Sequence, residues 1–200
     1  MTALIRPGER INLTQAHVVL VDANPESLEI LVQMFAGFGV HKPHCCKSSG
    51  DAQSHLSEHE AHLVVVDSAM PDMDGYDLVK WLRWSGPPSN CAAPVILLCG
   101  HTRPSDISKA RDCGANFVVR KPALPLVLLQ RIVWVSKETR PFVEAPGYRG
   151  PDRRFRAMGP PAGMKGRRQD DLSPEIGEAT MPNLDQSEID SLFQPKRAVQ

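Results

Sequence analysis

Two groups of residues in this chain have types and spacings that can do chemistry. The first is Asp22, Asp67, Cys99 and Lys121. The first three close the apolar runs AHVVLVD, HLVVVD and PVILLC, and Lys121 follows NFVVR directly before a proline. Carboxylates brought together in this way suit Mg2+, which takes oxygen ligands in a rigid octahedral set and neutralises an incoming phosphoryl group. The second group lies in GYRGPDRRFRAMGPPAGMKGRRQDDL. From Arg149 to Arg168 there are seven bases and one acid, a net charge of +6. Two Arg-x-x-Asp patterns, Arg149–Asp152 and Arg167–Asp170, fall in or beside this block.

Arginine and aspartate together are complementary to guanine. A guanidinium fork fits the O6/N7 edge, and a carboxylate accepts from N1–H and N2–H2 on the opposite edge. Aromatic and arginine faces stack on purines, and further arginines meet phosphate oxygens. A ligand with two guanines and two phosphates uses all of these groups, which points to cyclic di-GMP. The residues assigned to it are Tyr148, Arg149, Asp152, Arg153, Arg154, Phe155, Arg156, Arg167, Arg168, Asp170 and Asp171. Asp152 is informative, because a carboxylate lowers the affinity of a patch meant only for phosphate. An Arg-x-x-Asp from each flank would clamp a stacked pair of ligand molecules, with Met158–Gly166 as the turn. The pattern alone is weak, since Arg103–Asp106 matches it too. A solvated basic linker and a generic RNA-contacting patch are the competing readings, and selectivity against cyclic di-AMP separates them from a guanine clamp.

The whole chain has 23 Lys+Arg against 23 Asp+Glu, a formal net charge of zero. That excludes a uniformly basic DNA binder, an acidic solvating protein and a polybasic membrane anchor. The zero is a cancellation: Gln169–Asp190 carries seven acids and no base, which offsets the arginine block. No run of 18 apolar residues occurs, so no membrane insertion is expected. The opening MTALIRPGERINLTQ lacks a charged-then-apolar signal pattern, which predicts a cytoplasmic protein. Five cysteines without a Cys-x-x-Cys pair read as free thiols.

These residues need elements to position them. Apolar runs at 16–22, 62–67, 94–99 and 116–119, with a weaker one at 40–46, predict five strands. Helical spacing predicts helices over 25–38, 75–84, 105–113 and 124–135. Alternation of this kind implies an α/β fold, a doubly wound parallel sheet covered on both faces, with the site at the carboxyl ends of the strands. Residues 141–200 hold 14 Pro and Gly in 60 positions, with hardly any apolar clustering before Leu184. Such a segment buries too little surface to offset its ordering entropy. The expected organisation is a leader at 1–15, a folded domain at 16–140, a disordered Arg-rich tail at 141–183 and a short amphipathic helix at 184–194.

LVDAN at 20–24, VVVDSAMPDMDGYDL at 64–78, PVILLCGH at 94–101 and GANFVVRKP at 114–122 resemble the receiver domains of two-component response regulators. The resemblance covers about residues 16–138. It implies a flavodoxin-like fold, Asp67 as phosphoacceptor, and Lys121 as the phosphate-contacting base ahead of a cis Lys–Pro bond. Three departures stand out. Ala23 replaces the second of two adjacent acids, so Asp22 and Asp67 make a weak Mg2+ site. Cys99 replaces the hydroxyl that reads the phosphate, and Val118 stands at the switch aromatic. A receiver followed by an Arg-rich extension resembles the CheY-like cyclic di-GMP effectors, the Cle family. That resemblance implies ligand binding by the tail, action on the flagellar motor, motility and surface attachment, and recruitment to the flagellated pole. No Ser/His/Asp, metal or second carboxylate set accompanies the strand ends, so a non-enzymatic adaptor is expected. The chief alternative is a phosphorylated two-component response regulator with an incidental tail.

LDQSEIDSLF at 184–193 carries a complete helix start. Asp185 caps, Glu188 completes a capping box, and Leu184 with Ile189 has the spacing of a hydrophobic staple. Ile189, Leu192 and Phe193 then form one apolar face built to dock in a groove. The segment is similar to the N-terminal peptide of flagellar switch proteins that docks onto receiver domains. The expected partner is its own receiver, another receiver domain or a flagellar switch or motor protein.

Overall fold

The computed structural model describes residues 13–137, 140–153 and 185–192. Five parallel strands, β1 (Val18–Val21), β2 (His44–Cys46), β3 (Leu63–Asp67), β4 (Val95–Cys99) and β5 (Phe117–Arg120), form one sheet in the order β2-β1-β3-β4-β5. The helices between and after them are α1 (Pro25–Gly37), α2 (Ser49–Glu58), α3 (Gly75–Trp84), α4 (Pro104–Asp112) and α5 (Pro125–Ser136). The sheet is the flavodoxin-like doubly wound arrangement. Its strands are buried along their whole length at β1, β3 and β4, as strands covered on both faces must be.

Helix starts are set by side chains that satisfy free N–H groups. Asn24 accepts from the N–H groups of Glu26 and Ser27, with Pro25 at the first helical position of α1. Asp74 accepts from the Tyr76 N–H at the head of α3. Gly75 is required there: a Cβ on it would lie 2.2 Å from the Asp67 carbonyl oxygen. The close approach presses the start of α3 against the end of β3.

No element was expected between Cys46 and His62, yet α2 fills it. Only Ala52 and Leu56 supply apolar burial along α2 beside Ser49, so its amphipathic signal is faint. Ser48 caps it by accepting from the Asp51 N–H. The remaining elements agree with the sequence reading to within a residue or two, apart from β2, which is shorter.

The expected structureless tail from 141 is corrected at its start. A hairpin of β6 (Phe142–Ala145) and β7 (Tyr148–Pro151) pairs antiparallel and packs on α3. Its seat is Arg83, which is fully buried and donates to the carbonyls of Cys91, Ala93 and Gly114 and to Asn116 Oδ1. Gly114 and Gly150 let the two backbones meet: a Cβ on Gly150 would stand 2.8 Å from Gly114 Cα. The Tyr148 hydroxyl donates to the Pro151 carbonyl at 2.5 Å. Residues 154–184, and with them Arg154, Phe155, Arg156, Arg167, Arg168, Asp170, Asp171 and Leu184, lie outside the described residues, as do residues 1–12 and Phe193.

Arg83→Ala removes a donor from four acceptors, of which Asn116 Oδ1 keeps the Val95 N–H, and should cost about 3–5 kcal/mol of stability, read as a lower midpoint in urea unfolding at unchanged slope.

Candidate functional site

Parallel pairing brings the carboxyl ends of β1, β3, β4 and β5 into one row, and Asp22, Asp67, Cys99 and Lys121 meet there. Lys121 Nζ sits 2.8 Å from Asp22 Oδ2 and 2.8 Å from Asp67 Oδ2. Asp22 is almost fully buried and its other contacts hold it rigidly. Its Oδ1 accepts from the Asn24 N–H at 2.8 Å, and its Oδ2 accepts from the Ser27 hydroxyl at 2.5 Å. Burial alone would lower the lysine, but the hydrogen bonds and charges of Asp22 and Asp67 outweigh it and hold Lys121 above its ordinary value. The Lys121–Pro122 bond is cis. A cavity of about 600 Å³ opens beside the pair, lined by Ser27, Ile30, Met34, Asp67, Lys121 and Ala123 among others.

Cys99 is buried, and burial raises its thiol above the usual range. Its Sγ lies 3.5 Å from the Tyr76 hydroxyl, so an aromatic from α3 touches this corner. Val118 is fully buried in β5. Ser27 and Tyr76 were missed by sequence reasoning. The signal for Ser27 was its place one turn into α1, facing the end of β1.

The first Arg-x-x-Asp lies on the hairpin. Arg149 stands opposite Glu144 across the strands, with Nε 3.6 Å from the carboxylate. The Arg153 guanidinium covers the Tyr148 ring at 4.0 Å and pairs with Asp112. Asp152 donates its N–H to the Pro141 carbonyl at 2.8 Å. Tyr148 itself is only 5% exposed. The expectation that it offers a free stacking face to a purine is therefore revised: its ring is spent on seating the hairpin.

The terminal helix α6 (Gln186–Leu192) docks on its own chain. The Asp185 side chain accepts from the Glu188 N–H at 2.8 Å and Glu188 accepts from the Asp185 N–H at 2.8 Å, a reciprocal cap. Ile189 is fully buried against the core. Gln186 accepts from the Arg120 N–H at 3.0 Å and donates to the Val118 carbonyl at 3.4 Å, so it pairs with the outer edge of β5. Asp190 pairs with Arg131 of α5. Neither polar anchor was singled out in the sequence.

A buried aspartate thus ends the third strand, and a lysine just past the fifth bridges it to an acid just past the first. The chain belongs to the response regulator receiver domain family, which it matches over residues 18–133. The two-component response regulator ORR2 of Oryza sativa subsp. indica is 30% identical over 125 residues, covering 62% of this chain and 47% of that protein. The transcriptional regulatory protein GltR of Pseudomonas aeruginosa is 33% identical over 117 residues, covering 58% and 46%. The solved receiver domain of a signal transduction histidine kinase from Syntrophus aciditrophicus superposes with a TM-score of 0.55 at 26% identity, covering 65% of this chain and 98% of that one. The chain thus spans about half the length of the curated relatives it matches. The family match ends before the hairpin. No helix among the described residues is long and apolar enough to cross a membrane.

Receivers use Mg2+ at this corner, and the donor set here fits it poorly. Ala23 brings no side-chain oxygen, and Asp22 Oδ2 is already engaged by Ser27 and Lys121. Mg2+ demands a near-ideal octahedron built on carboxylates. Ala23→Asp should raise Mg2+-dependent labelling of Asp67 by acetyl phosphate by about tenfold or more, measured by intact-protein mass spectrometry. Lys121→Met should destabilise the fold by about 2–4 kcal/mol at pH 7, because two carboxylates then face each other without a cation. That difference is expected to be full below the lysine's ordinary value of 10.5. It should shrink as pH rises through the higher folded-state value, since only the charged ammonium bridges the pair. Urea titrations on both sides of that range check the sign.

Proposed function

We propose that this chain is a receiver-fold signalling adaptor that binds cyclic di-GMP through its Arg-rich segment and thereby alters a contact with a flagellar switch or motor protein. The observation that carries this reading is the arginine block with its two Arg-x-x-Asp patterns, which begins on a hairpin seated on α3 and leads to a helix seated on β5. Both flanks of the segment are anchored, so closing it around a ligand acts on the anchors. Arg149 and Arg153 are held by Glu144 and Asp112. Such partly exposed pairs contribute little and yield to two phosphates and two guanines. Ordering a segment on binding costs part of the gross interaction energy, which suits a reversible response.

The receiver corner supports an adaptor over a phosphate switch. The lysine bridges both acids, the second Mg2+ acid is absent, and a valine occupies the position from which an aromatic would swing. The rival reading, a phosphorylated response regulator with an incidental tail, draws on Asp67 and Lys121 standing 2.8 Å apart. In either case α6 covers the β5 edge that a partner helix would need, and releasing it frees both that surface and the apolar face of α6.

Calorimetry on the full chain decides between the readings. Cyclic di-GMP should bind and cyclic di-AMP should not, and Asp152→Ala and Arg167→Ala should each weaken binding about tenfold or more. Hydrogen exchange at 186–192 should rise on addition of the ligand. Equal binding of both dinucleotides, lost steeply with salt, would identify a charge patch instead. No binding at all, with efficient labelling of Asp67, would establish the phosphoryl-driven rival.

A further inference from the structure

Five of the seven histidines gather at the end of the sheet opposite Asp67. His17 directly precedes β1, His62 directly precedes β3, His44 opens β2, and His55 and His59 lie in the last turn of α2 and just beyond it. Topology forces the gathering. In a parallel sheet the crossover helix runs back against the strands, so its carboxyl end returns to their amino ends. His55 and His59 are four residues apart, the helical spacing at which two imidazoles share a face and chelate a metal.

The rings are in contact. His44 and His55 stack with centroids 3.4 Å apart, and His55 and His59 stack at 4.4 Å. His17 meets His55 edge-on, with their Nε2 atoms 3.1 Å apart. Hydrogen bonds assign the tautomers. His17 Nδ1 bonds the Glu60 carbonyl, which can only accept, so Nδ1 is the donor and Nε2 is the nitrogen turned toward His55. His59 Nδ1 lies 3.3 Å from the His55 carbonyl, so there too Nδ1 is the donor. An Nδ1–H held by a backbone carbonyl is the support that orients metal-binding imidazoles.

The His17 Nε2 therefore faces a second ring nitrogen at a distance where the gap must hold a proton or a cation. With metal–nitrogen bonds of about 2.0–2.1 Å, that separation subtends roughly 100° at a metal, close to tetrahedral. Burial and the neighbouring imidazoles keep His55 down at about 4 and lower His44 also. His62 is already committed, since its Nδ1 accepts from the His17 backbone N–H at 3.0 Å. Among the described residues no three such side chains already converge on one point. A third imidazole must turn in, and His59 and His44, both exposed and both stacked on His55, are placed to do so.

We propose that His17 and His55, completed by His59 or His44, bind one borderline divalent transition ion of the Zn2+ class. All-imidazole sets suit Zn2+, Cu2+ and Ni2+ over Mg2+ or Ca2+. The ion would clip the amino end of β1 to the end of α2, far from the carboxylate corner and independent of the Arg-rich segment.

The test is titration of the full chain with Zn2+ under a non-thiol reductant, with Co2+ as the spectroscopic probe. One ion per chain is expected, with a tetrahedral Co2+ spectrum free of thiolate charge transfer. Zn2+ should also raise the melting temperature. His17→Ala and His55→Ala should each lower affinity about tenfold or more, whereas Cys45→Ser should leave it unchanged. His59→Ala with His44→Ala, a pair at exposed positions, keeps the test sound if the inner variants fail to fold, and should lower affinity likewise. Binding that survives in the folded histidine variants, a thiolate spectrum, loss confined to Cys45→Ser, or no binding to the parent chain would each overturn the site.

Discussion

Lys121 holds two carboxylates that would otherwise repel each other at the ends of neighbouring strands, and the carboxyl edge of the sheet is organised around that ammonium. Asp22 is out of water, and a buried polar group needs hydrogen-bonded or charged partners. It has three donors: Lys121, the Ser27 hydroxyl and the Asn24 N–H. Asn24 also caps α1, so the acid, the cap and the first turn of the helix form one unit. Asp67 receives the same lysine, and Gly75 lets α3 close down on its backbone. Fold and site here are a single constraint seen from two sides.

That constraint explains how the corner persists with Ala23 in place of a second acid. A metal-bound receiver shares the charge of its acids between a cation and a lysine. With Ala23 in place of an acid there is less negative charge to hold, and the lysine with a hydroxyl is enough to satisfy it. The adaptor proposed above would take its input elsewhere, from groups that lie beyond the family match at residues 18–133.

Both extensions use surface that the five-stranded core leaves open. The hairpin is seated by Arg83, a charge that the interior accepts only because four acceptors meet its planar fork. Helix α6 closes the outer edge of β5 through Gln186, whose side-chain amide substitutes for the neighbouring strand that β5 lacks, among the described residues, on that side. Polar contacts choose these two positions, and Tyr148 and Ile189 supply the buried surface that holds them.

Much of the receiver body was legible because its signals are local. Short β-branched runs closed by Asp22 and Asp67, the Asn-Pro and Asp-Gly helix starts, and the helical spacing of α1 and α3 each act within a few residues. The arginine block and its charge are likewise properties of the chain alone. What local pattern could not decide are encounters between residues far apart in sequence. α2 has too little apolar surface to announce itself and forms because the sheet covers it. Arg83 reads as an ordinary solvent-facing base until Gly114, Asn116 and the hairpin enclose it. Tyr148 reads as a stacking face until the body buries it, and the five histidines are scattered until parallel topology returns α2 to the start of β1. The chain by itself determined its elements and the chemical groups at the strand ends. Only the tertiary structure decided which groups desolvate one another, because burial and pairing depend on what long-range packing brings alongside.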